Sequence, residues 1–304
     1  MPEPDPHHRV TITTDPAAFL VEAGEHLAAD PVVTTVVATV TRRAADDDAR
    51  GVPPPGRHPR WWAVVRDADG TVVGAAMRTA PFAPHPAYVL PMPAPAARTL
   101  ARVLHERGER LDAVNGSLPA ARVVADELAG LTGGRVVVEE HLRLWELPAL
   151  DGLVDHAAAG RLRAATPGDV PLCLAWFEAF ALDAAEQGGR EGAHPMDGET
   201  AEGMAARVER GLLWLWESAD GEVVHLTAHS EPAYGVVRVG PVFTLRGHRG
   251  HGYARAAVAQ VTRRVLEAGD RACLYTDQAN PTSNRVYAAI GYRPVAETVN
   301  LLVR

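Results

Sequence analysis

Two stretches of the chain carry the same pattern of apolar and polar positions. Trp61-Trp-Ala-Val-Val-Arg-Asp-Ala-Asp-Gly-Thr-Val-Val reads as strand, tight turn, strand, with Asp69-Gly70 at the turn. Trp214-Leu-Trp-Glu-Ser-Ala-Asp-Gly-Glu-Val-Val reads the same way around Asp220-Gly221, about half a chain length later. A second echo follows at the end of each half. Gly133-Gly-Arg-Val-Val-Val-Glu stands against Gly291-Tyr-Arg-Pro-Val-Ala-Glu, with glycine, arginine and glutamate in matching places. The pattern predicts two related α+β halves, each a mixed, mostly antiparallel sheet flanked by helices. The border falls in the Asp, Gly and Ala run from Pro148 to Gly160, giving domains 1–150 and 151–304. Asp46-Asp-Asp-Ala-Arg-Gly-Val-Pro-Pro-Pro-Gly56 and Gly188 to Pro195 read as exposed loops.

The second half carries the chemistry-bearing pattern. Tyr234 to Thr244 reads as a strand, followed by the loop Leu245-Arg-Gly-His-Arg-Gly-His-Gly-Tyr-Ala-Arg. A helix comes next, with Ala254, Val258, Val261 and Val265 at helical spacing and Gly269 closing it. A glycine-rich loop running into a helix N-terminus gathers unpaired N–H groups and the positive helix end in one place, which suits a pyrophosphate. Gly250 and Gly252 keep side chains out of its way, and Arg246 and Arg249 bring positive charge. The dinucleotide pattern G-x-G-x-x-G fails at Arg255, and the preceding strands look antiparallel, so a nicotinamide or flavin enzyme is the weaker reading. Further on, Asn280-Pro281 is a helix start and Gly291 its stop. Asn280, Asn284 and Tyr287 share one face of that helix, while Val286 and Ile290 share another that packs inward.

The first half repeats the hairpin but not the cradle. In place of the loop stands Tyr88-Val-Leu-Pro-Met-Pro-Ala-Pro-Ala-Ala-Arg, without glycine and with prolines that have no N–H to offer a phosphate. The position matching Tyr287 is Ala129. A helix through Leu100, Val103 and Leu104 follows the prolines, so the first half is expected to keep the fold without the cofactor motif.

Composition narrows the classes. The 304 residues hold 30 basic and 38 acidic side chains, for a net charge of −8, which speaks against nucleic acid as the main partner. Every lysine is missing, and with it the lysine an ATPase P-loop needs. Cys173 and Cys273 are too few for a disulfide framework or a thiolate zinc site and read as small core residues; no metal is expected. The start has no apolar leader, and the apolar run Pro31 to Val40 is too short for a bilayer, so the expected setting is cytoplasmic with no membrane partner.

Arg249-Gly-His-Gly-Tyr-Ala254, between its strand and its helix, resembles the Gln/Arg-x-x-Gly-x-Gly/Ala signature of the GNAT superfamily of acyl-CoA-dependent N-acetyltransferases. Asn280, Ser283, Tyr287 and Gly291-Tyr292 resemble the same superfamily's Asn-x-x-Ser/Ala-x-x-x-Tyr-x-x-x-Gly-Phe/Tyr segment. The resemblance covers roughly 161–304, and the paired layout is similar to tandem-domain members. It implies acetyl-CoA as acyl donor and an amine acceptor, small molecule or peptide. Backbone groups of Val242, Phe243 and Thr244 would hold the thioester and pantetheine arm. Arg249, Gly250, His251, Gly252, Tyr253 and Ala254 would hold the pyrophosphate, with Asn280 and Asn284 also at the cofactor. A strand bulge near the thioester would splay two strands to admit the arm. Tyr287 is the expected proton donor to the departing thiolate. His229 and Glu231 are candidates for the base by position only, and the acidic segment Glu186 to Glu199 is a candidate lid. A non-catalytic acyl-CoA sensor is the competing reading.

Overall fold

The computed structural model describes residues 7–54, 58–187 and 199–304. The chain folds into two compact units, residues 1–142 with 296–304, and residues 143–295.

The first unit begins with β1 (Arg9–Thr13), α1 (Pro16–Ala29) and α2 (Thr35–Ala49). Asp15 caps α1, accepting from the N–H groups of Ala17 and Ala18, with Pro16 preset for the first turn. The hairpin follows as β2 (Trp61–Arg66) and β3 (Val72–Arg78), and Gly70 takes the left-handed φ of +85° that its turn requires. Then come β4 (Ala87–Val89), α3 (Ala94–Glu106), β5 (Ala113–Ser117), α4 (Ala120–Thr132) and β6 (Val136–Leu147). Strand alternation divides β2 between two layers. Trp61, Ala63 and Val65 join the core under α3 and α4, with Leu100, Leu104, Val124 and Leu128. Trp62 faces the other way, against Phe19 of α1, and donates its Nε1–H to Thr41 of α2 at 2.8 Å. Both rings are fully buried, each worth roughly 2–3 kcal/mol of apolar transfer.

The second unit repeats that order: β7 (Arg161–Ala164), α5 (Val170–Gln187), α6 (Ala201–Glu209), the hairpin β8 (Leu213–Glu217) and β9 (Val223–His229), β10 (Val236–Thr244), α7 (Tyr253–Glu267), β11 (Arg271–Asp277), α8 (Pro281–Ile290) and β12 (Arg293–Val303). The repeat extends to detail. Gly221 turns its hairpin at φ +82°, and both hairpins carry a bulge, at Val65/Arg66 and at Trp216/Glu217. Gly133 ends α4 and Gly291 ends α8, both left-handed. Gly291 answers a second demand, because a Cβ there would lie 2.0 Å from the carbonyl oxygen of Gly152.

In the first unit the sheet runs β1-β2-β3-β4-β5-β12-β6, with β12 antiparallel to β5 and Thr298 opposite Ser117. The second unit's sheet runs β6-β11-β10-β9-β8-β7, and Trp145 of β6 donates its Nε1–H to Thr276 of β11 at 2.8 Å. Its two faces are covered by α7 with α8 and by α5 with α6. An even split at residue 150 differs from this division, since the chain crosses within β6 and returns its last strand to the first unit.

Two sequence expectations shift. Asp46 to Ala49 are helical, the last turn of α2, because Asp47 and Asp48 pair with Arg43, Arg50 and Arg60 and so tolerate the unfavourable helix end. The strand at Tyr234 starts at Val236 instead, after a tight turn in which Tyr234 and Gly235 take φ of +50° and +71°. The acidic segment proposed as a lid lies, from 188 to 198, outside the described residues. Both cysteines are buried, and neither forms a disulfide. Among the described residues, no helix is long and apolar enough to cross a membrane, and no His, Cys, Asp and Glu group is arranged to hold a metal ion.

Candidate functional site

In the second unit two neighbouring parallel strands part company. β10 and β11 pair only from Val236 opposite Arg271 to Arg238 opposite Cys273, although β10 runs on to Thr244 and β11 to Asp277. The cause is visible on the other side of β10. Val239 lies opposite His229 and Val242 opposite Thr227, so Gly240 and Pro241 face Ala228 alone. That bulge bends β10 away from β11, and Pro241 has no N–H to bridge back.

Past the bulge the backbone alternates in a way that sorts the three predicted residues. Leu245 donates its N–H to Val224 of β9 at 3.2 Å, which makes Phe243 opposite Leu226 a hydrogen-bonded pair as well. Phe243 therefore spends its backbone on β9 and puts its ring 5.8 Å from Trp176 of α5, on the far face. Val242 and Thr244 point their backbone groups away from β9, toward the opening. Of these, the Thr244 carbonyl accepts Arg249 Nε–H at 3.1 Å.

The loop after Thr244 makes one turn of tight helix at Arg246–His248 and then enters α7 through Gly252. Gly250 and Gly252 sit at φ of +85° and +82°, and a Cβ at either would meet nothing within 4 Å. The space beside them is open, and the N–H groups at the start of α7 precede the first bond back along the helix, from Ala256 to Gly252. His251 stacks on Tyr253 at 5.6 Å, and Tyr253 packs near Trp216 at 6.3 Å, which anchors the first turn to the sheet. Ala254 is half-buried in the same turn. An open cradle of N–H groups beside parted strands fits a pyrophosphate with an extended arm.

Tyr287 lies on α8 in the apolar cluster with Val237, Val239, Ala272 and Leu274, and Val242 packs against that cluster. The helix α8 that carries Tyr287 packs against β11 and α7. Its ring meets Tyr292 edge-on at 6.2 Å. Burial pushes its ionisation well above the ordinary tyrosine range, so it stays a neutral phenol. Asn280 caps α8, accepting from Ser283 N–H at 3.1 Å. The Asn284 amide is turned inward: its Oδ1 accepts from Thr276 at 2.7 Å and its Nδ2 donates to the carbonyls of Asp277 and Gln278. It ties α8 to the end of β11.

Both candidate bases have partners of their own. His229 turns Nδ1 to the Ser230 carbonyl at 2.9 Å, and burial lowers its pKa although carbonyls of Ser230 and Gly211 pull the other way. Glu231 is paired with Arg210 at 3.0 Å.

Two features were not read from the sequence. His225 of β9 is fully buried, with Nδ1 2.7 Å from Thr244 Oγ1 and Nε2 2.7 Å from Thr227 Oγ1; burial pushes its pKa down to about 3. Asp183 of α5, also buried, receives both loop arginines, Arg246 through Nε at 3.0 Å and Arg249 through Nη2. For Asp183 the sequence offered no distinct signal, since Glu178 stands in the same apolar run; Gly240-Pro241 inside a strand pattern was the signal for the bulge.

The same architecture occurs in solved structures along the whole chain. A GCN5-related N-acetyltransferase from Sphaerobacter thermophilus is 18% identical with a TM-score of 0.58, over 98% of this chain and 95% of its own. A GNAT-family acetyltransferase from Colwellia psychrerythraea is 10% identical with a TM-score of 0.55, over 97% and 99%. The tandem GNAT protein from the clavulanic acid biosynthesis pathway is 16% identical with a TM-score of 0.55, over 97% of both chains. The fold is that of the GNAT N-acetyltransferases. The FR47-like protein family model matches residues 219–301, which span the glycine-rich loop, the bulged strand and α8. No curated protein sequence matches the chain.

Proposed function

We propose that the second unit transfers an acetyl or short acyl group from acetyl-CoA to a primary amine, by direct attack with both substrates bound. The observation that carries this reading is the parting of β10 and β11 beside an open glycine cradle. The donor supplies an activated thioester carbonyl. The N–H groups of 250–254 hold its pyrophosphate, and the outward backbone of Val242 and Thr244 takes the pantetheine arm as a further strand would. The same outward N–H groups stabilise negative charge developing on the carbonyl oxygen. Tyr287 gives a hydrogen bond, and then its proton, to the leaving sulfur. Because a phenolate is disfavoured in that apolar cluster, it is restored at once by the proton that the attacking amine releases, passed on through water. The acceptor is a small molecule or peptide amine.

Calorimetric titration of acetyl-CoA, with NAD as control, tests the reading. One site per chain is expected, with thiol release once an accepted amine is added; no binding would sink it. Tyr287→Phe is expected to keep acetyl-CoA affinity and lose about 10²–10⁴ in turnover. A non-catalytic sensor would bind acetyl-CoA equally well but release no thiol across an amine panel.

A further inference from the structure

The two arginines of the loop are already occupied. Arg246 donates to Asp183 through Nε and Nη2 and also reaches Glu186, while Arg249 donates to Asp183 through Nη2 and to the Thr244 carbonyl through Nε. Their charges are balanced by two carboxylates. Asp183 is the buried member, with 10% of its side chain exposed against 63% for Arg246 and 41% for Arg249. Asp183 also lies near the end of α5, whose Trp176 packs on Phe243 of the bulged strand. A carboxylate removed from water and shared between two guanidinium groups holds their geometry firmly, because each fork has a fixed donor arrangement.

From this geometry we propose that Asp183 is a positioning residue, and that Arg246 and Arg249 are struts between α5 and the cofactor loop instead of phosphate ligands. This rests on the acetyl-CoA reading given above. The phosphates are gripped by backbone N–H groups alone, and the struts keep the loop in the shape those groups need. Arg249 braces the loop at two points, its own Nε on Thr244 and its Nη2 on Asp183, so the segment from Thr244 to Gly250 is closed before any ligand arrives. Loss of the carboxylate frees both arginines and lets that segment relax, which adds an ordering penalty to binding.

A double-mutant cycle separates struts from ligands. Acetyl-CoA is titrated calorimetrically into the wild type, Asp183→Ala, Arg249→Ala and the double variant, at two salt concentrations. Each single variant is expected to weaken affinity about tenfold, and the double variant by clearly less than the product of the two, since the Arg249–Asp183 brace is lost in all three. The number of sites stays at one per chain; a partly unfolded sample would lower that number and leave the affinity of the remainder intact. The salt dependence of Arg249→Ala is expected to match that of the wild type, because no phosphate contact has been lost. Additive losses, a flatter salt dependence in Arg249→Ala, tighter binding by Asp183→Ala, or no change in any variant would each overturn the proposal. A wild type that binds no acetyl-CoA would overturn the functional reading, and the proposal with it.

Discussion

The two units place glycine at different points of one element order, and for opposite ends. In the first, β4 and β5 stay paired to the last residue of β4, and Gly116 makes that possible: at φ +135°, its missing Cβ would lie 2.0 Å from the Val89 carbonyl oxygen. Just beyond, Met92 lies against Gly74 of β3, where a Cβ would come within 2.5 Å of the Met92 Cβ. The strands are closed and the space is filled. In the second unit the corresponding strands part, and Gly250 and Gly252 face open space. One scaffold thus serves as packing in one copy and as a cradle in the other. Ala129, at the place of Tyr287, is buried among Leu128, Val124 and Leu104, where a hydroxyl would have nothing to do. Glycine in a motif says little until it is known whether its missing side chain makes room for the protein or for something else.

That contrast can be broken by substitution. Gly116→Ala forces a methyl into the Val89 carbonyl in a backbone region L residues avoid, and is expected to lose about 4 kcal/mol or to fail to fold. Gly252→Ala meets no neighbour and carries only its conformational strain of about 1 kcal/mol, while weakening acetyl-CoA binding. Urea denaturation paired with titration checks both; equal destabilisation would erase the distinction. Met92→Ala is expected to lose about 2–4 kcal/mol by cavity formation and to leave acetyl-CoA at one site per chain. A second site appearing in that variant would mean that the first unit is merely plugged.

Acidity sharpens the comparison from the second unit's side. His225 is neutral in the fold with its pKa depressed to about 3, whereas an unfolded histidine titrates near 6.5. The unfolded chain therefore binds the extra proton between those values, so stability is full above about pH 6.5 and falls as pH drops toward 3. Each such histidine contributes a slope of up to about 1.4 kcal/mol per pH unit there. His26 and His229, both lowered chiefly by burial, act in the same direction. Chemical denaturation at pH 7.5 and 5 reads this out, and His225→Gln is expected to flatten the slope.

Much of this was legible in the sequence because it is local. A turn glycine, a helix-ending glycine and an Asn-Pro helix start are dictated by backbone geometry within a few residues, and Gly70, Gly221, Gly133, Gly291 and Asn280 all stand where the pattern placed them. The loop and its helix followed from the same local logic. What the sequence withheld depends on partners far along the chain. Asp183 meets Arg246 and Arg249 only after α5 packs on the sheet, and Asn284 looks like a ligand-facing polar residue until Thr276 takes its oxygen. The aspartates closing α2 were misread as loop for the same reason, since Arg60 arrives from outside the helix. Side-chain direction was the other limit: spacing placed Phe243 with its neighbours, but alternation across the bulge assigns its backbone to β9.

The placement of β12 has a consequence for how the protein is made. As the ribosome extends the chain, the first unit emerges early yet lacks the strand that lies between β5 and β6 in its sheet. Until Thr298 to Leu302 arrive, β5 presents bare N–H and C=O groups, while everything needed by the bulged strand, the cradle and α8 has already left the exit tunnel. The half synthesised first is the half completed last.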